Sequence, residues 1–205
     1  MKKSFSFLEM IIVLLLITLL YTQFIPKNEI NKLNEITTRL SLYITYLRYK
    51  AMVNNKYDDE DTLWHKKRWT LKFFRCRDDK DGIYFTIYSD KNKTGHPSVE
   101  DSLKDPLTNK NIYSSNYCKE NNANSKYVLL TKNFDIENVN ISCNNTSSLG
   151  QLSFGNDGKV YSRLSNYENE SEEYEIKSPC EIKLRTKNGE EGTLLIENLT
   201  GYVKK

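Results

Sequence analysis

A continuous apolar run next to the amino terminus constrains this chain more than any other feature. From Phe5 to Ile25 the only strongly polar side chains are Glu9 and Gln23, and Met10 to Tyr21 is apolar except for Thr18. Wound as an α-helix at ~1.5 Å per residue, the run is roughly 30 Å long, enough to span the hydrocarbon core of a bilayer. Lys2 and Lys3 precede it, and the positive-inside rule keeps them cytoplasmic and sends the bulk of the chain to the other side. Glu9 is the anomaly. An ionisable group in such a segment costs about 2.5 kcal/mol or more at mid-membrane, less near an interface, and marks a functional position.

Three accounts of the segment compete. A cleavable secretory signal needs small residues in an A-x-A-like arrangement, which Thr22-Gln23-Phe24-Ile25-Pro26 does not offer. A plain signal anchor explains the length and the lysines but leaves Glu9 without a purpose. The third account rests on a match: Lys3-Ser4-Phe5-Ser6-Phe7-Leu8-Glu9-Met10 resembles the processing site of type IV prepilins and type II secretion pseudopilins. In that family a short basic leader ends in glycine, phenylalanine follows, and a glutamate stands four residues further on. Phe5 and Glu9 have this spacing, and Ser4 stands where the family has glycine.

The resemblance implies a specific chemistry and layout. A prepilin peptidase would cut between Ser4 and Phe5 on the cytoplasmic face and methylate the new amino group of Phe5. Glu9, costly to bury alone, would pair with the cationic amino terminus of Phe5 in a neighbouring subunit and set the register of assembly. Residues 1–4 are then a leader peptide, 5–25 a transmembrane helix, 26–55 its amphipathic continuation and 56–205 a periplasmic head. The family architecture is α+β and pilin-like, with a long N-terminal helix, membrane-spanning in its first half, packed on an antiparallel β-sheet.

Composition agrees with one exported head. About 180 residues follow the apolar run, enough for a single domain with a modest core. Thirty Lys plus Arg against 27 Asp plus Glu give a net charge of +3, too small an excess to mark a dedicated nucleic-acid binder. Cys76, Cys118, Cys143 and Cys180 are even in number and widely spaced, without a C-x-x-C pair. In a chain delivered to an oxidising compartment they read as two disulfides rather than a zinc site, with three connectivities open.

Beyond the apolar run, Pro26 lacks the N–H that a helical hydrogen bond needs and should kink or loosen the helix. Ile30, Leu33, Thr37, Leu40, Ile44, Leu47 and Ala51 then recur at the spacing of one helical face, a core-facing stripe that ends near Asn54. Residues 69–75 and 83–88 are rich in β-formers and read as a hairpin. Asp90 to Asn124 reads as a long loop, Tyr127 to Thr131 as a short strand, and Asn138 to Ser148 as a polar loop tied down by Cys143. Residues 180–186 alternate apolar and polar, Asn188-Gly189 is the strongest short hairpin signal, and Thr193 to Glu197 reads as the partner strand. The turn Phe154 to Gly158 and the closing Leu195 to Val203 resemble the end of the H-type minor pseudopilin domain, with Tyr202 in place of a basic residue.

The weaker motifs each have a structural explanation beside the functional one. His65 and His96 lie apart and outside any metal or nucleophile motif, so no catalytic residue, metal or cofactor is expected. Trp64-His65-Lys66-Lys67-Arg68-Trp69 mixes cations and aromatics and is the one run suited to DNA, though it reads first as the solvated approach to a strand. Asp90-Lys91-Asn92-Lys93-Thr94 matches an extended acidic glycosylation sequon at Asn92. Asp101 and Asp105 lack EF-hand spacing, and Glu168 to Glu175 reads as a solvated loop. The expectation is a non-enzymatic minor pseudopilin of a type II secretion or DNA-uptake machine. Its partners would be other pilin or pseudopilin subunits, the prepilin peptidase, an inner-membrane assembly platform and membrane lipid. A minor type IV pilin and an anchored periplasmic module that never polymerises are the alternatives.

Overall fold

The computed structural model describes residues 6–24, 31–78 and 82–205. Ser4 and Phe5 of the expected cleavage site, Pro26 of the expected kink, and Ile30 all lie outside the described residues. The chain divides into two compact units, residues 1–31 and 32–205, each described by itself.

The first unit contains helix α1, Phe7–Phe24. Met10 to Ile17 is an unbroken apolar stretch of more than two turns, so the helix is apolar around its whole circumference rather than along one stripe. From Phe7 to Tyr21 its side chains are exposed. Among the described residues no helix is long and apolar enough to cross a membrane.

The second unit opens with α2, Lys32–Val53, with Glu35 in the first turn and Lys50 in the last, each sign matching the helix dipole. Leu33, Ile36, Thr37, Leu40, Tyr43, Ile44, Leu47 and Ala51 are buried. The stripe expected from Leu33 to Ala51 is therefore present, and it is wider by Ile36 and Tyr43.

Among the described residues eight strands follow: β1 Trp69–Arg75, β2 Ile83–Ser89, β3 Ile136–Ile141, β4 Gln151–Phe154, β5 Val160–Tyr161, β6 Cys180–Thr186, β7 Glu191–Ile196 and β8 Val203–Lys204. They form two antiparallel sheets, ordered β2-β1-β4-β5 and β3-β6-β7-β8. Helix α2 packs on both, chiefly on β1 and β7. The α+β expectation of a helix on antiparallel strands holds for this unit, with two sheets sharing one helix. Gly192 in β7 permits the close approach: a Cβ there would lie 2.5 Å from Thr37 Oγ1 and 3.1 Å from Leu33 Cδ1.

Both expected hairpins form. Trp69 pairs with Ser89 and Arg75 with Ile83 in the first, Cys180 with Ile196 in the second. Gly189 takes φ +84° in the second turn, a conformation that favours glycine. The turn after Phe154 and the chain's end also meet, since a Cβ on Gly201 would lie 3.0 Å from the Phe154 ring and 3.2 Å from Gly158 O.

Three local expectations are corrected. Tyr127 to Thr131 is not a strand: a 3₁₀ turn spans Lys126–Val128 and a short helix, α3, spans Leu130–Phe134. Ser125 starts the turn by accepting the Tyr127 N–H, a local bond that competes with strand pairing. The polar segment from Asn138 is strand through Ile141, not loop. The acidic segment near Glu172 is tied into the head by ion pairs rather than simply solvated. The long segment after Asp90 has little regular structure, as expected, yet it has a job. Leu103 N–H donates to Ile87 O (2.7 Å) and Ile87 N–H to Ile112 O (3.1 Å), covering the edge of β2 that would otherwise be open to pairing.

Two disulfides, Cys76–Cys118 and Cys143–Cys180, brace the head. They close loops of 42 and 37 residues, worth about 4 kcal/mol each on the chain-entropy account. The first ties the end of β1 to the edge-covering segment, and the second ties β3 to the start of β6.

Candidate functional site

Ser6 and Glu9 form a reciprocal cap at the start of α1. Ser6 N–H donates to Glu9 Oε2 (2.8 Å), and Glu9 N–H donates to Ser6 Oγ (3.3 Å). This is a capping box, which satisfies two of the donors that every helix start leaves unpaired. Such a cap is worth about 0.5–2 kcal/mol, and an anion in the first turn adds about 0.3–1 kcal/mol. The sequence signal is Ser6-x-x-Glu9 before an apolar run, a local use of Glu9 that the intersubunit reading of the same carboxylate does not include. The cap gives this carboxylate a local structural use. It uses one oxygen of a group with about four acceptor sites, so Glu9 can still receive an ammonium.

In the head, the expected cationic run resolves into separate roles. Arg68 is 4% exposed, its guanidinium 3.7 Å from the Tyr161 ring centroid and 4.8 Å from that of Trp64. It donates to Ser171 O (2.6 Å) and to Glu172 Oε1 (3.0 Å). The other Glu172 oxygen accepts Tyr161 OH (2.6 Å) and Lys159 Nζ (3.2 Å). Burial pushes the Glu172 carboxyl up, but the hydrogen bonds from Tyr161, Arg68 and Lys159 outweigh it and hold it at about 2. Lys67 pairs with Asp61 (2.6 Å) and is only partly exposed. Lys66 lines a polar cleft together with Lys72 and Arg163.

His65 is fully buried, with Nε2 3.0 Å from Ser165 O and Nδ1 without a hydrogen-bond partner among the described residues. His96 lies in another segment and lines a different cleft, so the structure does not bring the two histidines together. Asp105, which lacks EF-hand spacing, accepts Tyr43 OH (2.7 Å) and Leu107 N–H (2.9 Å). Asp101 accepts from Ser98 Oγ (2.7 Å). Among the described residues no group of three or more acidic, histidine or cysteine side chains could hold a metal ion. Asn92 is exposed, its Oδ1 receiving the N–H and hydroxyl of Thr94.

Comparison with known proteins finds no family model, no curated protein and no solved structure that matches the chain.

Proposed function

We propose that this chain is a structural subunit, a minor pseudopilin processed at Ser4/Phe5, anchored through the Phe5–Ile25 run and assembled by way of Glu9. The observation that carries the reading is the carboxylate of Glu9 at the start of a helix that is apolar on every face. A fully apolar helix requires either a bilayer or neighbouring helices around it, and a pilus-like assembly supplies both in turn. The described part of α1 falls short of a complete span, and the anchor reading uses the full sequence run, whose ends lie outside the described residues. Two disulfides support delivery of the head to an oxidising compartment, the periplasm if the lysines remain cytoplasmic. An amphipathic helix laid on antiparallel sheets is the pilin-like arrangement that the resemblance implies.

The capping box sharpens the test. Glu9→Gln keeps a capping side chain but removes the charge, whereas Glu9→Ala removes both. A register role through charge pairing requires both variants to abolish crosslinking between subunits in the membrane while leaving membrane retention intact. If Glu9→Gln assembles normally, Glu9 serves the cap alone and the pairing role is wrong. An anchored module that does not polymerise would be indifferent to both. A minor type IV pilin would respond as a pseudopilin does and is separated from it by whether its loss abolishes surface pili or protein export.

A further inference from the structure

A polar cleft of about 430 Å³ lies on the outer face of the first sheet. Leu71, Phe73, Phe85 and Ile87 point from β1 and β2 into the core, so the alternating Lys72 and Tyr88, with Gln151 of β4 beside Lys72, occupy the opposite face. These three side chains help line the cleft, Lys66 and Arg163 line it as well, and the hydroxyl-bearing segments around Thr94 and residues 146–148 complete it.

Asp90 is the unusual member. It follows the end of β2 and is 3% exposed. Its Oδ2 accepts the Gly95 N–H at 2.6 Å, but its buried Oδ1 has no hydrogen-bond partner among the described residues. A buried carboxylate oxygen left without a donor costs about 1–3 kcal/mol or more, so the arrangement favours a ligand that brings one. Lys66, Lys72 and Arg163 outnumber the single carboxylate, so the cleft also favours an anion. Burial pushes the Lys72 ammonium down and the Asp90 charge pushes it back up.

We propose that this cleft binds an acidic saccharide, with sugar hydroxyls donating to Asp90 Oδ1 and to the hydroxyl- and amide-bearing walls, and the sugar's carboxylate received by Lys72 and Arg163. Both halves of the chemistry are needed. The phosphodiester groups of a nucleic acid would meet the cations but bring no donor for Asp90 Oδ1, and the cleft offers no open aromatic face for a base, because Tyr88 is only 5% exposed. The site belongs to the head alone and does not depend on assembly through Glu9.

The test uses the full chain in detergent micelles, titrated calorimetrically with uronate and sialyl oligosaccharides, their neutral counterparts, a short oligothymidylate and inorganic phosphate. Binding of at least one acidic oligosaccharide is expected, at least tenfold tighter than its neutral counterpart and than oligothymidylate. Asp90→Asn, which keeps an acceptor for the Gly95 N–H, should weaken it at least tenfold. The Lys72→Met, Arg163→Met double variant should weaken it similarly and flatten its salt dependence. No binding of any acidic oligosaccharide would overturn the proposal, as would equal affinity for oligothymidylate or complete displacement by inorganic phosphate at matched concentration. Should Asp90→Asn fail to fold, unchanged affinity in the double variant overturns it alone.

Discussion

Replacing Tyr43 by phenylalanine isolates one buried polar device with little change in shape. Tyr43 is 0% exposed at the centre of α2, and its hydroxyl donates to Asp105 Oδ2 at 2.7 Å. Its oxygen also lies 2.9 Å from Ser125 Oγ. The bond fastens α2 to the edge-covering segment, and Asp105 itself is 1% exposed. Losing it removes a hydrogen bond to a charged group, about 1.5–3 kcal/mol, and leaves Asp105 with fewer donors in a dry place. The expected loss is about 2–3 kcal/mol at pH 7, or roughly 5–10 °C in Tm for a unit of this size.

The pH dependence gives the prediction its edge. Burial pushes the Asp105 carboxyl up, but the Leu107 N–H and the Tyr43 and Thr108 hydroxyls outweigh it, so it lies below its ordinary value. A depressed carboxyl stabilises the fold above the unfolded value, near pH 3.8, and that contribution is lost as pH falls through the folded value. In Tyr43→Phe the desolvation remains and one opposing bond is gone, so Asp105 takes up its proton at higher pH. The stability gap between parent and variant should therefore narrow from pH 7 towards pH 3, measured by urea unfolding of the full chain in detergent. A gap below about 0.5 kcal/mol at pH 7, or one that widens in acid, would refute the account of this network.

Two further predictions concern the head. Gly192→Ala would place a Cβ 2.5 Å from Thr37 Oγ1, which is itself held to Leu33 O, and 3.1 Å from Leu33 Cδ1; overpacking of this kind should cost about 1–3 kcal/mol in urea unfolding. His65 should make the fold sensitive to acid: burial, with Arg68 and Lys66 nearby, outweighs Ser165 O and Asp61 and lowers its pKa. A group whose folded pKa is lowered contributes fully above its unfolded value near pH 6.5, and stability falls below that pH by at most about 1.4 kcal/mol per unit. His65→Gln should remove the decline between pH 6.5 and 5, seen as a flatter plot of the urea midpoint against pH.

Features that are local in the sequence are legible there. The two hairpins are visible because alternation and turn residues act over a few positions, and the α2 stripe because its spacing repeats. Tyr43 escapes that stripe because a phenolic side chain does not announce itself as core until its hydroxyl finds Asp105, 62 residues away. Strand β3 is hidden by a register shift between Ile136 and Asn138, which places buried Ile136, Val139 and Ile141 out of strict alternation. The disulfide pairing and the Asp90 cleft are assembled from distant segments, which no spacing rule reaches. At the amino terminus the reverse holds: the capping box is written in Ser6 and Glu9, but a functional explanation for the Glu9 charge masks the local one.

The most direct measurement is the mass of the amino-terminal peptide of the protein extracted from its native membrane. The account predicts a chain that begins at Phe5 with an N-methyl group on its amino nitrogen. A chain that retains Met1 to Ser4, with an unmethylated Phe5, would contradict it.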